Sequence, residues 1–596
     1  MQIRRRRQGA AATVAALALI LTGATAADAH GKPPKPPKPA KTVTVNLIAF
    51  NDFHGAIDPP TGSGGLVNGT PAGGVEYLAT AVKTLRAQQE QESPYSFTVA
   101  AGDLVGASPL VSAAFHDEPT VDEMNSLGLD VTSVGNHEFD EGVTELLRLQ
   151  NGGCHPVDGC LDGDGFAGAD YPILAANVVD KTTTRPILAP YTIEKVGGIK
   201  VAFVGMTLEG TPSIVNPAGI TSVSFLDEAE TANRYARELR RHHGVRSIVL
   251  LLHEGGQQTG ATPDPSGCTG FSGAVTGIVS QLDPAYGVVV SGHTHRAYSC
   301  ALPNSSGAST VVTSAGSNGT VLTDISMTLD KRAKTIVAAD ARNLIVENGV
   351  KNADGTWQQS APGVFVRNPA TVDPAAKAIA DKYRAAVAPL ANRVVGSISA
   401  DITRTANAAG ESTLGDVIAD GMVAYTSSAG AQLALMNPGG IRADLIYTAS
   451  PGGEAPGQVT YGEVFTVQPF NNLVVTVTLT GAQLKEVLEQ QFAGYAGQST
   501  TRILQVSDGF TYTYTASAAL GSRVSAMALN GTPVDPAGTY RVSTNDFLAN
   551  GGDGFTTLTA ATDRVTAPGF DVDSLAAYVG AGPVGPGPQN RITRIP

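Results

Sequence analysis

Charge is scarce in this chain of 596 residues: 16% of the residues are charged, against 42% hydrophobic. That is too little charge for a disordered chain and enough apolar material for large cores. The charge present leans acidic, with a formal net of −13, which excludes a protein that wraps a nucleic-acid polymer through a basic surface. No Walker A sequence occurs, and no repeat of solenoid type. Gly (68) and Pro (36) are plentiful but follow no triplet period, which excludes collagen and points to many turns. Cysteine is limited to four residues, without the C-x-x-C spacing of a structural zinc site. Histidine is absent beyond His295, so the C-terminal half can supply no imidazole.

The first residues read as an address. Arg4 to Arg7 form a basic stretch, Ala10 to Leu21 a short apolar run, and Ala-x-Ala patterns end at Ala26 and Ala29. This is the layout of a secretory signal peptide over residues 1–29, cleaved near Ala26 or Ala29. Its apolar run is short for a membrane span. A Pro/Lys-rich tether follows over residues 30–42, and nothing later reads as a membrane anchor. In an exported chain the even cysteine count suggests two disulfides. Of three possible connectivities, the most local is favoured: Cys154–Cys160 and Cys268–Cys300. The remaining chain is long enough for two or more domains.

The first half repeats one pattern, a short apolar run followed at once by a polar cluster. Val43–Phe50 leads into Asn51-Asp52-Phe53-His54, Phe97–Ala100 into Ala101-Gly102-Asp103, and Val131–Val134 into Gly135-Asn136-His137-Glu138-Phe139-Asp140. Ile248–Leu252 leads into His253-Glu254, and Val288–Ser291 into Gly292-His293-Thr294-His295. Continuous apolar runs suit strands buried on both faces. Helical stretches lie between them: Asp227–His242 is amphipathic, and Thr120 with Glu123 has capping-box spacing. Alternating strands and helices predict an α/β domain, with the clusters gathered beyond the carboxyl ends of the strands. Asp373 and Pro374 have the form of an N-cap and first turn, opening a helix over 375–387 that bridges to a second α/β or α+β domain.

Five of the ten histidines fall in the strand-end clusters. One His after a strand is commonplace; an ordered set of His, Asp and Asn, each directly after an apolar strand, is not. Mixed ligands of this kind suit Zn²⁺, Mn²⁺, Co²⁺ or Fe. They are too many for one ion, and two ions sharing a bridging carboxylate would use them, as in phosphoester hydrolysis.

These motifs resemble, in order and spacing, the calcineurin-like metallophosphoesterases, and within them the secreted bacterial group of 5′-nucleotidases, UDP-sugar hydrolases and 2′,3′-cyclic phosphodiesterases. The resemblance implies a calcineurin-like α/β sandwich over residues 43–365, a linker helix over 366–393, and an α/β (α+β) nucleoside-binding domain over 394–596. It implies that Asp52, His54, Asp103 and His295 hold one divalent ion. Asp103, Asn136, His253 and His293 would hold the other. His137, oriented by Asp140, would contact the scissile phosphate. In the second half, Asn437-Pro438-Gly439-Gly440-Ile441-Arg442, Gln468-Pro469-Phe470 and the stretch Asp546 to Phe555 resemble the family's substrate-binding segments. By that match Phe470 and Phe547 sandwich a base, Asp553 takes the ribose hydroxyls, Asn437 touches the base and Arg442 pairs with phosphate. One departure stands out: many relatives place a further Arg shortly before the segment equivalent to Glu411–Gly415, whereas here that stretch is Asn407-Ala408-Ala409-Gly410 and Arg404 lies further back.

Two lesser features read as surface. Asp162-Gly163-Asp164-Gly165 lacks the full calcium-loop pattern and suits an acidic turn. Asn68, Asn318 and Asn530 open formal glycosylation sequons. The expectation is thus an exported enzyme cleaving 5′-nucleotides to nucleoside and phosphate, with a metal-bound hydroxide attacking. Its partner is a small nucleotide, with no nucleic-acid polymer and no membrane anchor in the mature chain. A cyclic-nucleotide phosphodiesterase or UDP-sugar hydrolase on the same metals is the alternative, and a non-enzymatic extracellular binding protein a more distant one.

Overall fold

A computed structural model describes residues 41–596 apart from Thr61, Ala261, Pro362 and Ser499. The leader over 1–29 and the tether up to Ala40 lie outside the described residues. Two six-stranded sheets face each other in the N-terminal half. In the first, strands Thr42–Phe50, Ser96–Ala101, Val131–Ser133 and Ile173–Leu174 run parallel, with Val321–Asp330 and Ile336–Ile345 added antiparallel. In the second, Ile199–Thr207, Ser247–His253, Tyr286–Ser291 and Ser309–Ala315 are parallel, edged by Tyr191–Val196 and Ala297–Pro303.

The sandwich explains why the strands read as unbroken apolar runs. Successive side chains of a strand point to opposite faces. Leu47, Ala49, Val99, Val249, Leu251, Val288 and Val290 fill the space between the sheets. Their neighbours Ile48, Phe50 and Ala100 pack outward on one layer of helices, and Ile248, Leu250, Leu252 and Val289 on the other. Neither face meets water, so neither tolerates a polar alternate.

The C-terminal half holds a five-stranded mixed sheet, in which Leu433–Met436, Thr539–Asn545 and Leu473–Thr480 are central, and a four-stranded sheet around Phe510–Thr515. Between the halves runs the helix Pro374–Ala391, whose N-cap Asp373 accepts from the backbone N–H groups of Ala375 and Ala376. The helix is fastened to the N-terminal half. Lys83 pairs with Asp373 at 2.8 Å and Arg384 with Asp58 at 2.7 Å. The Tyr383 hydroxyl donates to Asp122 and Asp162, and Lys382 pairs with Asp162 and Asp164. The acidic turn read as free surface is therefore a docking point for this helix.

Both local disulfides are present, Cys154–Cys160 and Cys268–Cys300. The Asn-Gly pairs at two sequons serve the backbone. Asn68 (φ 49°) and Asn530 (φ 51°) each begin a two-residue hairpin turn with the following glycine, the left-handed geometry such turns demand. The expected Thr120/Glu123 capping box does not form. The helix begins earlier, at Glu118, so Thr120 lies within it and bonds the Ser112 hydroxyl.

Glu123 is left buried, and neither carboxyl oxygen has a hydrogen-bond partner. Burial, reinforced by Glu76 and opposed by Arg384, pushes its pKa up to about 9. The folded chain thus holds a proton that the unfolded chain releases near 4.5, so stability falls as pH rises between those values. The Glu123→Gln variant, which cannot ionise, is expected to melt at a higher temperature than the parent at pH 8, with the gap closing at acidic pH. A gap that is the same at both pH values would show that Glu123 ionises normally.

Candidate metal centre

The five strand-end clusters come from two different sheets, yet their side chains meet, because the carboxyl edges of both sheets open on the same side. Asp52, His54, Asp103, Asn136 and His253 are all buried. The backbone is bent hard to achieve this. Asp52 (φ 49°), His54 (50°), Asp103 (50°), His293 (70°) and His295 (54°) all sit in the left-handed region, which costs a non-glycine residue of order 1–3 kcal/mol. Gly292 makes the crowding explicit: a Cβ there would stand 2.9 Å from Asp52 Oδ2, His253 Nδ1 and the Ala101 carbonyl.

Ring nitrogens and carboxylates are aimed at common points. His54 Nδ1 donates to the Gly106 carbonyl at 2.9 Å and His253 Nδ1 to the Ala101 carbonyl at 2.7 Å. Each bond fixes a tautomer and turns the Nε2 lone pair inward, the arrangement that prepares an imidazole for a metal. His54 Nε2 lies 3.0 Å from His295 Nε2, and His295 Nε2 3.3 Å from Asp52 Oδ1. His253 Nε2 lies 2.9 Å from Asp103 Oδ2 without making a hydrogen bond to it, and His293 Nδ1 is 3.0 Å from Asn136 Oδ1. Ligands 2.0–2.2 Å from a tetrahedral ion sit about 3.3 Å apart, so these separations are those of a coordination shell. The donor set fits one ion among Asp52, His54 and His295 and another among Asp103, His253 and His293.

The electrostatics ask for positive charge. Burial works against a charged His253, yet Asp103 and Asp52 lift it to about 10. His54 is pushed down to about 3 by burial and by His295, and His293 to about 4 by burial and by His253, so both rings keep bare nitrogens. Burial also opposes charge on His137, but Asp140, at 2.7 Å, and Asp103 raise it to about 9. His137 is thereby an imidazolium at neutral pH, set on the rim of the centre.

The C-terminal half reaches the same place. A cavity of about 470 Å³ is lined by Asp103, His137, His293, Thr294, His295, Arg296 and Arg442. The Phe470 ring stacks on His137 at 5.9 Å, and the Arg442 guanidinium lies 5.7 Å from the Phe470 centroid. Arg404 donates to the Arg442 carbonyl at 2.7 Å and is half-exposed beside it. Asn437 and Asp553 are joined by a hydrogen bond of 2.9 Å, with Arg502 at 3.3 Å from Asp553. Phe547 packs against Gly552. Two residues carry no clear sequence signal. Arg296 lines the cavity, and its only mark is its place after the His293-Thr294-His295 run. Glu138 accepts backbone N–H groups of Asp103, Leu104 and Gly135 and so holds the Asp103 turn; it is visible only as part of a longer motif.

Comparison with known proteins agrees with this geometry. Residues 45–297 match the calcineurin-like phosphoesterase family, and residues 394–560 match the 5′-nucleotidase C-terminal domain. The cell wall protein Lmo0130 of Listeria monocytogenes is 32% identical over 565 residues, covering 90% of this chain and 67% of that protein. The endonuclease YhcR of Bacillus subtilis is 30% identical over 535 residues, covering 89% of this chain and 39% of the relative, so the chain spans well under half of that relative's length. The crystal structure of a 5′-nucleotidase precursor from Thermus thermophilus superposes with a TM-score of 0.70 at 28% identity, covering 93% of this chain and 99% of that one. The chain belongs to the calcineurin-like phosphoesterases that carry a 5′-nucleotidase C-terminal domain.

Proposed function

We propose that this chain is an exported enzyme that hydrolyses 5′-nucleotides to nucleoside and orthophosphate at a centre of two divalent ions. The observation that carries the reading is the entry of Arg442, from the C-terminal half, into the cavity of Asp103, His137, His293 and His295, with the Phe470 ring of the same half stacked on His137. One place then offers phosphate chemistry and an aromatic face for a base. The working parts are residues 43–365 and 394–596, joined through 366–393.

Asp52, His54, Asp103 and His295 would hold one ion and Asp103, Asn136, His253 and His293 the other. Zinc, manganese or cobalt ions there would supply Lewis acidity to the phosphoryl oxygens and acidify a water. The protein's own groups do the rest. Arg442 presents a guanidinium fork to the phosphate. The His137 imidazolium donates to a phosphoryl oxygen as charge builds there, and Asp140 holds its ring in place. Phe470 and Phe547 stack the base, Asn437 meets its edge and Asp553 takes the ribose hydroxyls. With the phosphate chemistry on one half and base recognition on the other, turnover requires the halves to part and close. Because the linker helix is ion-paired to the N-terminal half, the bend falls beyond Ala391.

Export is supported by the two disulfides, by the leader-like first residues, and by a relative named as a cell wall protein. No helix among the described residues is long and apolar enough to cross a membrane. One feature favours a second reading, a phosphodiesterase acting on larger substrates. A groove of about 520 Å³ shares His295 and Arg296 with the catalytic cavity and runs toward Gln257 and Asn68, giving room for a second group on the phosphate.

A side-by-side assay of AMP, ATP, UDP-glucose and a 2′,3′-cyclic nucleotide tests the choice; AMP should turn over with the highest kcat/KM, and clear preference for a diester would favour the second reading. Asp103→Ala is expected to lose bound metal and activity together, and an active variant without metal would contradict the proposed centre. His137→Ala should keep its metal while kcat falls by about 10²–10⁴. Phe470→Ala should raise KM for AMP by about tenfold or more, the value of one stacked base. Its KM for p-nitrophenyl phosphate should hardly move, and an equal loss on both substrates would remove Phe470 from base recognition.

A further inference from the structure

Asp553 is gripped by two other segments of the C-terminal half, and the grip leaves most of its carboxylate unused. It sits in the short turn Gly552–Gly554 at φ 54° and ψ 19°, a left-handed geometry that costs a non-glycine residue. Its side chain is 11% exposed, largely out of water yet open on one side. Asn437 Nδ2 donates to Asp553 Oδ2 at 2.9 Å. The Asn437 side-chain carbonyl accepts from Asn545 Nδ2 at 3.1 Å, which fixes the end of the amide that faces the carboxylate. From the other segment, Arg502 Nε stands 3.3 Å from Asp553 Oδ1.

The Arg502 contact is an ion pair, and the hydrogen bond of the guanidinium goes elsewhere. Nη1 donates to Gln498 Oε1 at 2.9 Å, and Gln498 Nε2 donates in turn to the backbone carbonyl of Asp553. Arg502, Gln498 and Asp553 thus close a ring. Packing on that side is tight, since a Cβ at Gly554 would stand 2.8 Å from Gln498 Nε2. At Gly439 it is loose: a Cβ there would meet only Asn437 Nδ2 at 3.6 Å and Asp553 Oδ2 at 3.7 Å. Glycine at that position leaves the carboxylate uncovered.

An ionised carboxylate offers about four acceptor sites. Asn437 fills one, and Arg502 adds charge beside Oδ1 without filling another. Acceptor capacity therefore remains on both oxygens, which is what two adjacent hydroxyls of a vicinal diol require. A purely structural pair would favour two parallel hydrogen bonds from the guanidinium fork; here the fork is turned to Gln498. Burial raises the Asp553 pKa, and Arg502 and then Asn437 oppose it.

We propose that Arg502 is a positioning residue for the ribose: it pins the Asp553 carboxylate in one orientation while leaving its acceptor sites to the 2′,3′-diol. The inference deepens, and rests on, the reading that Asp553 takes the ribose hydroxyls. It makes the chain selective for ribonucleotides through a residue that does not itself touch the sugar.

The test compares kcat/KM for AMP and for 2′,3′-dideoxy-AMP, which lacks the diol, in the full-length parent, Arg502→Gln and Asp553→Asn. Arg502→Gln is expected to cut the preference for AMP by about tenfold, the value of a hydrogen bond to a charged group, with the loss in KM rather than kcat. An equal loss on both nucleotides would make Arg502 a merely structural residue and overturn the proposal. If Asp553→Asn loses the preference and Arg502→Gln keeps it, the proposal falls and the ribose reading stands. If the parent has no such preference, or Asp553→Asn keeps it, the ribose reading falls and takes the proposal with it. The Arg502 backbone is held independently, its N–H donating to the Gln491 carbonyl at 2.8 Å. Should Arg502→Gln nonetheless fail to fold, Arg502→Met decides the question by the same comparison.

Discussion

Asp52 and Asp103 are two carboxylates buried in one place, facing the same imidazoles. Removing two like charges from water together is tolerable only if positive charge lies within a few ångströms, and much of the surrounding structure supplies it or holds it there. Asp103 is kept well below the ordinary carboxylate range by His253 and His137 against the opposing effect of burial. The Asp52 oxygens accept the backbone N–H of His293 and the Asn51 amide. A site of this kind is poised for cations, and phosphate chemistry is a natural use of them.

The scaffold answers the cost of that arrangement. Five left-handed residues carry backbone strain, and they are held there by two packed sheets whose strands stop at the same edge. The interior between the sheets is dense and apolar, so the strand ends cannot drift. The polar groups of the C-terminal half are built differently. Asn437, Asp553 and Arg502 form one polar chain, and Arg442 is carried to the cavity beside Arg404. The strand-end donors thus sit on a rigid edge, and a separate body brings Arg442 to the same cavity.

Signals in the sequence are legible where the physics is local. The linker-helix cap at Asp373 and the strands ending at Phe50, Ala101 and His253 follow from propensity and periodicity. So does the pairing of nearby cysteines. The Thr120/Glu123 spacing misleads because a helix start depends on the chain before it. Asp117 adopts φ 60° and starts the helix early, leaving Glu123 buried within it. Glu138 and Arg296 carry no periodic or spacing signal, since their importance lies in what they touch.

Sequence alone determined the inventory: which donors exist, that each follows an apolar strand, and that no imidazole comes from the C-terminal half. These follow from residue type and from alternation along the chain, which the order of residues encodes directly. Only the folded structure decided the distances, namely that His54 and His295, 241 positions apart, stand nitrogen to nitrogen, and that Arg442 reaches the cavity of His137. It also decided that His116 and His155 meet at one carboxylate. Such contacts arise from the packing of whole sheets and helices, and no local stretch of residues specifies them.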